Sequence, residues 1–100
     1  MELSSTSVIP TGRADRFAKQ FISHWGRHGE VTTTDEGTLM RFPASDHGAA
    51  TEVHVVARPD ALVIVNRADD ASTLQKSCDS IAEHLHRFAG NRESLSISWS

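Results

Sequence analysis

The chain has 100 residues, of which 38% are hydrophobic and 23% are charged, and its formal net charge is −3. These values predict one globular domain over residues 1–100, and the negative charge gives no basic surface field of the kind that attracts nucleic acid or anionic lipid. The longest apolar run, Ala61 to Val65, is too short to span a membrane, and the N-terminus lacks a signal pattern, so we expect a cytoplasmic protein. The single cysteine, Cys78, excludes an internal disulfide.

A strand and a helix are predicted for the first quarter of the chain. Residues 1–5 are expected to be a loose N-terminus, followed by a short strand over residues 6–11. A helix begins near Arg13, because apolar side chains then recur at intervals of three and four residues. Gly26 and Gly29 predict that this helix ends between Trp25 and His28. Its apolar positions are Ala14, Phe17, Ala18, Phe21, Ile22 and Trp25.

Four strands are predicted for the middle of the chain. Residues 31–34 and 39–42 flank Asp35-Glu36-Gly37, which is typical of a hairpin with a glycine-containing loop. Residues 50–57 alternate in polarity, as a half-buried strand does. Residues 61–65 form the most β-branched run, which makes them the candidate central strand.

A helix and a final strand are predicted for the last third. Its apolar stripe passes through Cys78, which predicts a buried, unreactive thiol. Asp69 or Asp70 supplies a carboxylate at the start of the helix, and Gly90-Asn91 supplies a left-handed stop. Residues 94–99 then alternate between apolar and polar side chains, which predicts a strand. The stripe consists of Ala71, Leu74, Cys78, Ile81, Leu85 and Phe88.

The order β-α-β-β-β-β-α-β predicts an α+β fold. We expect a two-layer sandwich, with a mostly antiparallel sheet of about six strands and both helices packed on one face. The other face of the sheet would stay open. Such a face is often completed by a second subunit, so a homodimer or another docked protein is an expected partner.

Histidine is abundant, with six residues in the chain. His24 and His28 are four residues apart, but Gly26 between them weakens a shared helical site. His84 lies at the border of the second apolar stripe. If the two helices pack side by side, His24 and His84 face each other across the groove between them, where they could hold a metal, haem iron or an anionic ligand. The alternative is that each ring is a structural boundary residue. His24, His28 and His84 are the candidate metal ligands, although two imidazoles fall short of the three or four ligands of zinc.

Three arginines form a second candidate group. Arg87 and Arg92 follow one another near the end of the second helix, and Arg27 ends the first. A guanidinium group recognises carboxylates and phosphates through its planar fork. These arginines therefore fit an acidic ligand, or alternatively a structural role at the negative end of the helix, paired with Glu83 or Glu93.

Enzyme signatures are missing from the sequence. The chain has no glycine-rich phosphate loop, no serine nucleophile elbow and no carboxylate pair that spacing singles out. Asp46 and His47 lie in a loop rich in breakers, where a solvated surface is the expected role. No catalytic residue is predicted, and the chain is expected not to be an enzyme, with a histidine general base as the remaining alternative.

Two stretches of the chain resemble one bacterial family. Residues His24-Trp25-Gly26-Arg27-His28 are similar to its pattern of histidine, aromatic residue and basic pair, and many relatives have histidine where this chain has Arg27. Near the C-terminus, His-Leu-x-Arg-Phe, a further arginine and an alternating segment ending in tryptophan match His84, Leu85, Arg87, Phe88, Arg92, Leu95, Ile97 and Trp99. On these motifs the chain resembles the domain-of-unknown-function family DUF2218. The resemblance implies a link to iron acquisition, because relatives are encoded beside or joined to siderophore-interacting flavin reductases.

The leading functional hypothesis is a non-enzymatic binding module. His24, His84, Arg87 and Arg92 are the expected ligand-binding residues, and an acidic or iron-containing small molecule is the expected ligand. No cofactor is established by the sequence, and a metal or haem is expected only through the histidines. The alternatives are an interaction subunit that docks a copy of itself or a reductase through the open sheet face, and an enzyme with a histidine base.

Overall fold

The computed structural model describes residues 3–46 and 48–100, and it has five strands, two α-helices and one 3₁₀ turn. Met1, Glu2 and His47 lie outside the described residues, so the prediction for His47 is not addressed. The elements are β1 (Leu3–Pro10), α1 (Ala14–Trp25), a 3₁₀ turn (Gly26–His28), β2 (Glu30–Thr33), β3 (Thr38–Phe42), β4 (Thr51–Ala57), β5 (Ala61–Ala68) and α2 (Ala71–Ala89).

The five strands form one sheet in the order β1-β5-β4-β3-β2, and every neighbouring pair is antiparallel. The predicted α+β class and antiparallel sheet are confirmed. The prediction that residues 61–65 are central is wrong, because β5 is second in the sheet and β4 is in the middle. β5 is still an inner strand, because β1 pairs along its whole length on the side away from β4.

The N-terminal strand begins earlier than predicted, and the C-terminal segment does not form the predicted strand. β1 begins at Leu3, because Leu3 pairs with Ala68 at the far end of β5. The predicted strand at residues 94–99 is not a sixth strand of the sheet. That segment is extended beside β1, where Ser100 and Thr6 exchange two backbone hydrogen bonds of 2.9 and 3.0 Å. Its burial nevertheless alternates as predicted, with Leu95 buried and Ser96 exposed.

Both helices cover the same face of the sheet, as predicted. α1 packs on β4 and β5, and α2 packs on β1, β4 and β5. Every second side chain of each strand points towards the helices, and the apolar stripes of the helices pack against these side chains to form the core. The largest completely buried side chains of this core are Ile9, Phe21, Met40, Leu62, Ile64, Ile81 and Leu85.

The second helix has the predicted signals at both ends. The carboxylate of Asp70 accepts hydrogen bonds from Thr73 N at 2.7 Å and from Thr73 Oγ1 at 3.0 Å. The backbone hydrogen bond is the larger cause, and together the two bonds hold the pKa of Asp70 below its usual value. Gly90 ends the helix with φ of 56°, a backbone conformation that favours glycine.

The core also confirms the prediction that the cysteine is buried. Cys78 is 3% exposed and faces Asn66 of β5, which is completely buried. Asn66 Nδ2 donates to Cys78 Sγ at 3.4 Å, and Asn66 Oδ1 accepts from Ser77 Oγ at 3.2 Å. The thiol is therefore part of a hydrogen-bonded contact between α2 and the sheet.

Over the part of the chain that the structure describes, no helix is long and apolar enough to cross a membrane.

Candidate functional site

The two helices bring His24 and His84 together, as their positions in the sequence predict. His24 lies in the last turn of α1, and His84 lies in the second half of α2. Their ring centroids are 5.2 Å apart and the rings are tilted by 42°. His24 is exposed and His84 is half-buried, so a ligand can reach this pair from solvent.

Aromatic rings surround the histidine pair. The Trp25 ring stands at 88° to the His84 ring with a centroid distance of 5.4 Å, and Phe42 stands edge-on to Trp25 at 5.8 Å. Phe88 lies 6.0 Å from His24 and 6.2 Å from His84. These are the edge-to-face geometries that aromatic rings favour. The side chains thus hold one another in fixed orientations at the end of the groove between the helices.

The hydrogen bond of His84 determines how its ring can act. Nδ1 of His84 lies 2.8 Å from the backbone oxygen of Ser80, one turn earlier in α2. A carbonyl oxygen only accepts, so Nδ1 carries a hydrogen. The neutral ring then offers a lone pair at Nε2, which accepts a hydrogen bond or binds a metal ion. The protonated ring instead offers an Nε2–H group to an anion.

A pocket of about 290 Å³ lies at this cluster, and we call it the histidine pocket. It is at the lower end of the size range of small-molecule sites, which begins at about 300 Å³. Its depth and apolar walls come from Trp25 and Phe42, and its polar groups are mainly imidazoles. The lining residues are His24, Trp25, His28, Phe42, Ser80 and His84.

The predicted metal ligands do not form a complete site. His28 lines the same pocket as His24 and His84. Across residues 3–46 and 48–100, however, no three groups from His, Cys, Asp and Glu stand close enough to hold a metal ion together. Two of the other histidines are placed elsewhere: His54 Nε2 lies 3.0 Å from Thr34 Oγ1 on the sheet, and His86 is exposed on α2.

The arginines predicted to share the ligand do not line the histidine pocket. Arg87 forms an exposed ion pair of 2.9 Å with Glu83 on its own helix. Arg92 lies at the other end of the groove, in a second pocket with residues of the first turn of α1. Arg27 lines a third, wide depression next to β3. Arg92 is separated from Arg87 because the chain reverses direction at Gly90. Arg27 is separated from His24 because it lies in the 3₁₀ turn and not in α1.

Two walls of the histidine pocket were not predicted from the sequence. Phe42 was assigned only to a strand, and Trp25 only to the core. Phe42 reaches the pocket because the end of β3 lies against Gly29, directly after the 3₁₀ turn, and the Phe42 ring contacts Trp25 at the end of α1. The one available signal was the pair of aromatic residues at the ends of two predicted elements, and it does not specify which ends meet.

A comparison with protein-family models identifies the family of the chain. The family model described as "Uncharacterized protein conserved in bacteria (DUF2218)" matches residues 6–100. The chain is also similar to a solved structure, the NMR structure of PA4090 from Pseudomonas aeruginosa. The two are 32% identical with a TM-score of 0.72, over 97% of this chain and 94% of that chain. No curated protein matches the chain. The match over nearly the whole sequence confirms the resemblance carried by the histidine and arginine motifs, and the chain therefore belongs to the bacterial family DUF2218.

Proposed function

We propose that the protein is a non-enzymatic binding module for a small, planar, acidic ligand, and that the ligand occupies the histidine pocket. The observation that carries this proposal is the adjacency of two imidazoles, with ring centroids 5.2 Å apart, beside the Trp25 ring. Apolar walls with a few convergent polar groups are the usual composition of a small-molecule site.

The chemistry of the pocket favours a ring with an acidic substituent. The faces and edges of Trp25 and Phe42 suit an aromatic or conjugated group, which they contact at little entropic cost. The acidic group would accept hydrogen bonds from His24 and from the Nε2–H group of the protonated His84 ring. A volume of about 290 Å³ limits the ligand to one or two rings. An iron-containing ligand and a flavin reductase partner stay predictions of the family resemblance.

Benzoate is a suitable probe, because it combines one ring with one carboxylate. We expect a titration with benzoate, followed by NMR, to shift the indole N–H signal of Trp25 and the ring signals of His24 and His84. Acetate carries the same charge without the ring and should bind more weakly. Equal binding of the two anions, or an unchanged Trp25 signal, would contradict the proposal.

Variants separate binding from folding. His24→Ala with His84→Ala removes both imidazoles from the pocket, and the pair should abolish benzoate binding while the sheet signals stay in place. His86→Ala is the matched control, because His86 is an exposed histidine on the same helix that does not line the pocket. Loss of folding in the double variant would assign the two histidines a structural role instead.

We propose as a second candidate that the open sheet face pairs with the same face of another copy. Glu30, Arg41, Glu52 and Arg67 are successive register partners across β2, β3, β4 and β5. Met40 and Val53, their neighbours along the strands, face the helices, so this charged row lies on the open face. A two-fold axis parallel to the strands, between β3 and β4, reverses the row. Glu30 then faces Arg67, and Arg41 faces Glu52, so every contact joins opposite charges.

A charge exchange tests this pairing. Arg67→Glu alone, or Glu30→Arg alone, places like charges opposite one another and should give a monomer in sedimentation velocity. In the double variant carrying both changes, the arginine at position 30 again faces an opposite charge, the glutamate at position 67 of the other copy, which should restore the dimer. A wild-type protein that is monomeric at 100-fold the concentration used for the variants, or a double variant that stays dissociated while the wild type is dimeric, would refute this candidate.

A further inference from the structure

A second pocket, the arginine pocket, lies at the opposite end of the groove from the histidine pocket. It has a volume of about 510 Å³ and is formed by the start of α1 and the end of α2. Its polar lining comes from Arg13, Arg16, Gln20, Asn91 and Arg92. Among the described residues that line it, none is acidic. The pocket therefore concentrates three positive charges with no opposite charge in its wall.

The three arginines of this pocket have no ion-pair partner among the residues that the structure describes. Elsewhere on the surface, Arg41 and Arg87 are held in ion pairs of 2.9 Å with glutamates. No guanidinium group of the arginine pocket is in an ion pair or side-chain hydrogen bond with residues 3–46 or 48–100. Three guanidinium groups that line one pocket repel one another, and an anion between them removes this repulsion.

The backbone fixes where these arginines stand. Arg13 is the residue immediately before α1 and Arg16 lies in its first turn, and both line the pocket. Gly90 has φ of 56°, which allows the chain to reverse direction there. A Cβ atom at this position would have only Arg87 O nearby, at 3.9 Å. The reversal is fixed by a hydrogen bond of 3.1 Å from Arg92 N to Ala89 O. It brings Arg92 back towards the first turn of α1.

The local electric field comes mainly from side chains. The positive end of the α1 dipole and the negative end of the α2 dipole meet at this pocket and largely offset one another. The nearest carboxylates in sequence are Asp15 and Glu93, and neither lines the pocket. The guanidinium groups thus make the electrostatic potential in the pocket positive.

We propose that Arg13, Arg16 and Arg92 bind the phosphoryl group of a small phosphorylated ligand or of free phosphate. A phosphoryl group carries close to two negative charges at neutral pH and three acceptor oxygens, so it can engage three guanidinium forks at once, whereas a carboxylate has only two oxygens. The amides of Gln20 and Asn91 add neutral hydrogen-bonding groups at the rim. Arg16 and His24 are about 12 Å apart along α1, at about 1.5 Å per residue, so the charged groups of the two pockets do not meet, and Phe88 lies between them.

Inorganic phosphate is the probe for the test. Phosphate is titrated into the protein at pH 7.5 and constant ionic strength, with backbone amide signals followed by NMR and with sodium chloride and acetate as reference anions. We expect saturable shifts confined to residues 13–20 and 88–92, and much smaller shifts with acetate. Uniform shifts, or equal shifts with chloride, would overturn the proposal.

Variants and a second ligand sharpen the result. Arg16→Ala and Arg92→Ala should each weaken phosphate binding by about tenfold or more, and Arg→Lys at either position should restore part of it, because lysine keeps the charge but not the fork. Arg87→Ala is the matched control and should bind like the wild type, whereas wild-type affinity in Arg16→Ala and Arg92→Ala would refute the site. Glycerol phosphate that binds at least as tightly as phosphate assigns the site to an ester, and weaker binding assigns it to the free ion.

Discussion

The close approach of Gly29 to β3 offers a prediction whose size follows from the geometry. Gly29 has φ of −155° and ψ of −168°, an extended conformation that alanine also adopts, so backbone strain does not enter. A methyl group at this position would lie 2.6 Å from Cδ1 and 3.0 Å from Cε1 of Phe42, and closer still to the carbonyl oxygen of Arg41. Carbon atoms in ordinary contact are about 3.5–4.0 Å apart, so the Phe42 ring and the β3 backbone at Arg41 would both have to move by about 1 Å.

Gly29→Ala should therefore destabilise the protein by a measurable amount. Forcing a methyl group into a filled site costs about 1–3 kcal/mol. Replacing glycine also restricts the unfolded chain, which offsets about 0.4–1 kcal/mol of that cost. The clash with the backbone oxygen of Arg41 puts the packing cost at the upper end of its range, so the net loss is about 2 kcal/mol. Each kcal/mol lowers the melting temperature of a domain of this size by about 4–8 °C.

Urea and thermal unfolding, followed by circular dichroism, measure this loss. Gly12→Ala is the matched control, because a methyl group there meets nothing within 4 Å and its φ is not positive. The control should match the wild type or exceed it by up to about 1 kcal/mol. Because Phe42 lines the histidine pocket, Gly29→Ala should also shift the Trp25 indole signal. If Gly29→Ala is as stable as Gly12→Ala, the reasoning about close approach is refuted.

Three further predictions concern the second helix. Asp70→Asn should lower the free energy of unfolding near pH 7. The hydrogen bonds from Thr73 hold the pKa of Asp70 below its ordinary 3.8, so the difference in unfolding free energy between variant and wild type should shrink as pH falls below about 4. It should disappear once Asp70 is protonated in both the folded and the unfolded protein. A difference in urea titrations that does not change with pH would contradict the assignment of the cap. Leu85→Ala should cost about 2–5 kcal/mol because Leu85 is completely buried, whereas His86→Ala on the exposed side should change stability by less than about 0.5 kcal/mol; similar losses for the two would argue against the observed orientation of the helix. The Cys78 thiol, 3% exposed, should react with a thiol reagent only at the rate of unfolding, and rapid labelling of the native protein would show that the site opens.

Periodicity in the sequence predicted the helices and their buried faces well. The α1 and α2 stripes are local patterns that repeat every three to four residues, and the ends of α2 carry their signals at Asp70 and Gly90. The meeting of His24 and His84 followed from those stripes, because two helices that bury their apolar faces on one sheet must bring their border residues together.

The order of the strands in the sheet, and the placement of the arginines in different pockets, could not be predicted from the sequence. β1 is separated from β5 by about 50 residues, and no local signal states that Leu3 pairs with Ala68 rather than another strand. The C-terminal alternation predicted the alternating burial of that segment, but not that Ser100 bonds to Thr6 of β1 without forming a sixth strand. Arg92 follows Gly90, so its position depends on one backbone rotation and not on helical geometry.

Native mass spectrometry of untagged protein tests the central claim, that the histidine pocket binds a small molecule, most directly. The wild type, the His24→Ala, His84→Ala double variant and the His86→Ala control are purified in parallel from a bacterial host, and each sample is split for elemental analysis and for denaturing mass spectrometry of released compounds. We predict one small acidic compound at a stoichiometric level on the wild type and the control, and its loss from the folded double variant. A wild type that carries no compound, or a double variant that retains it, would contradict the claim.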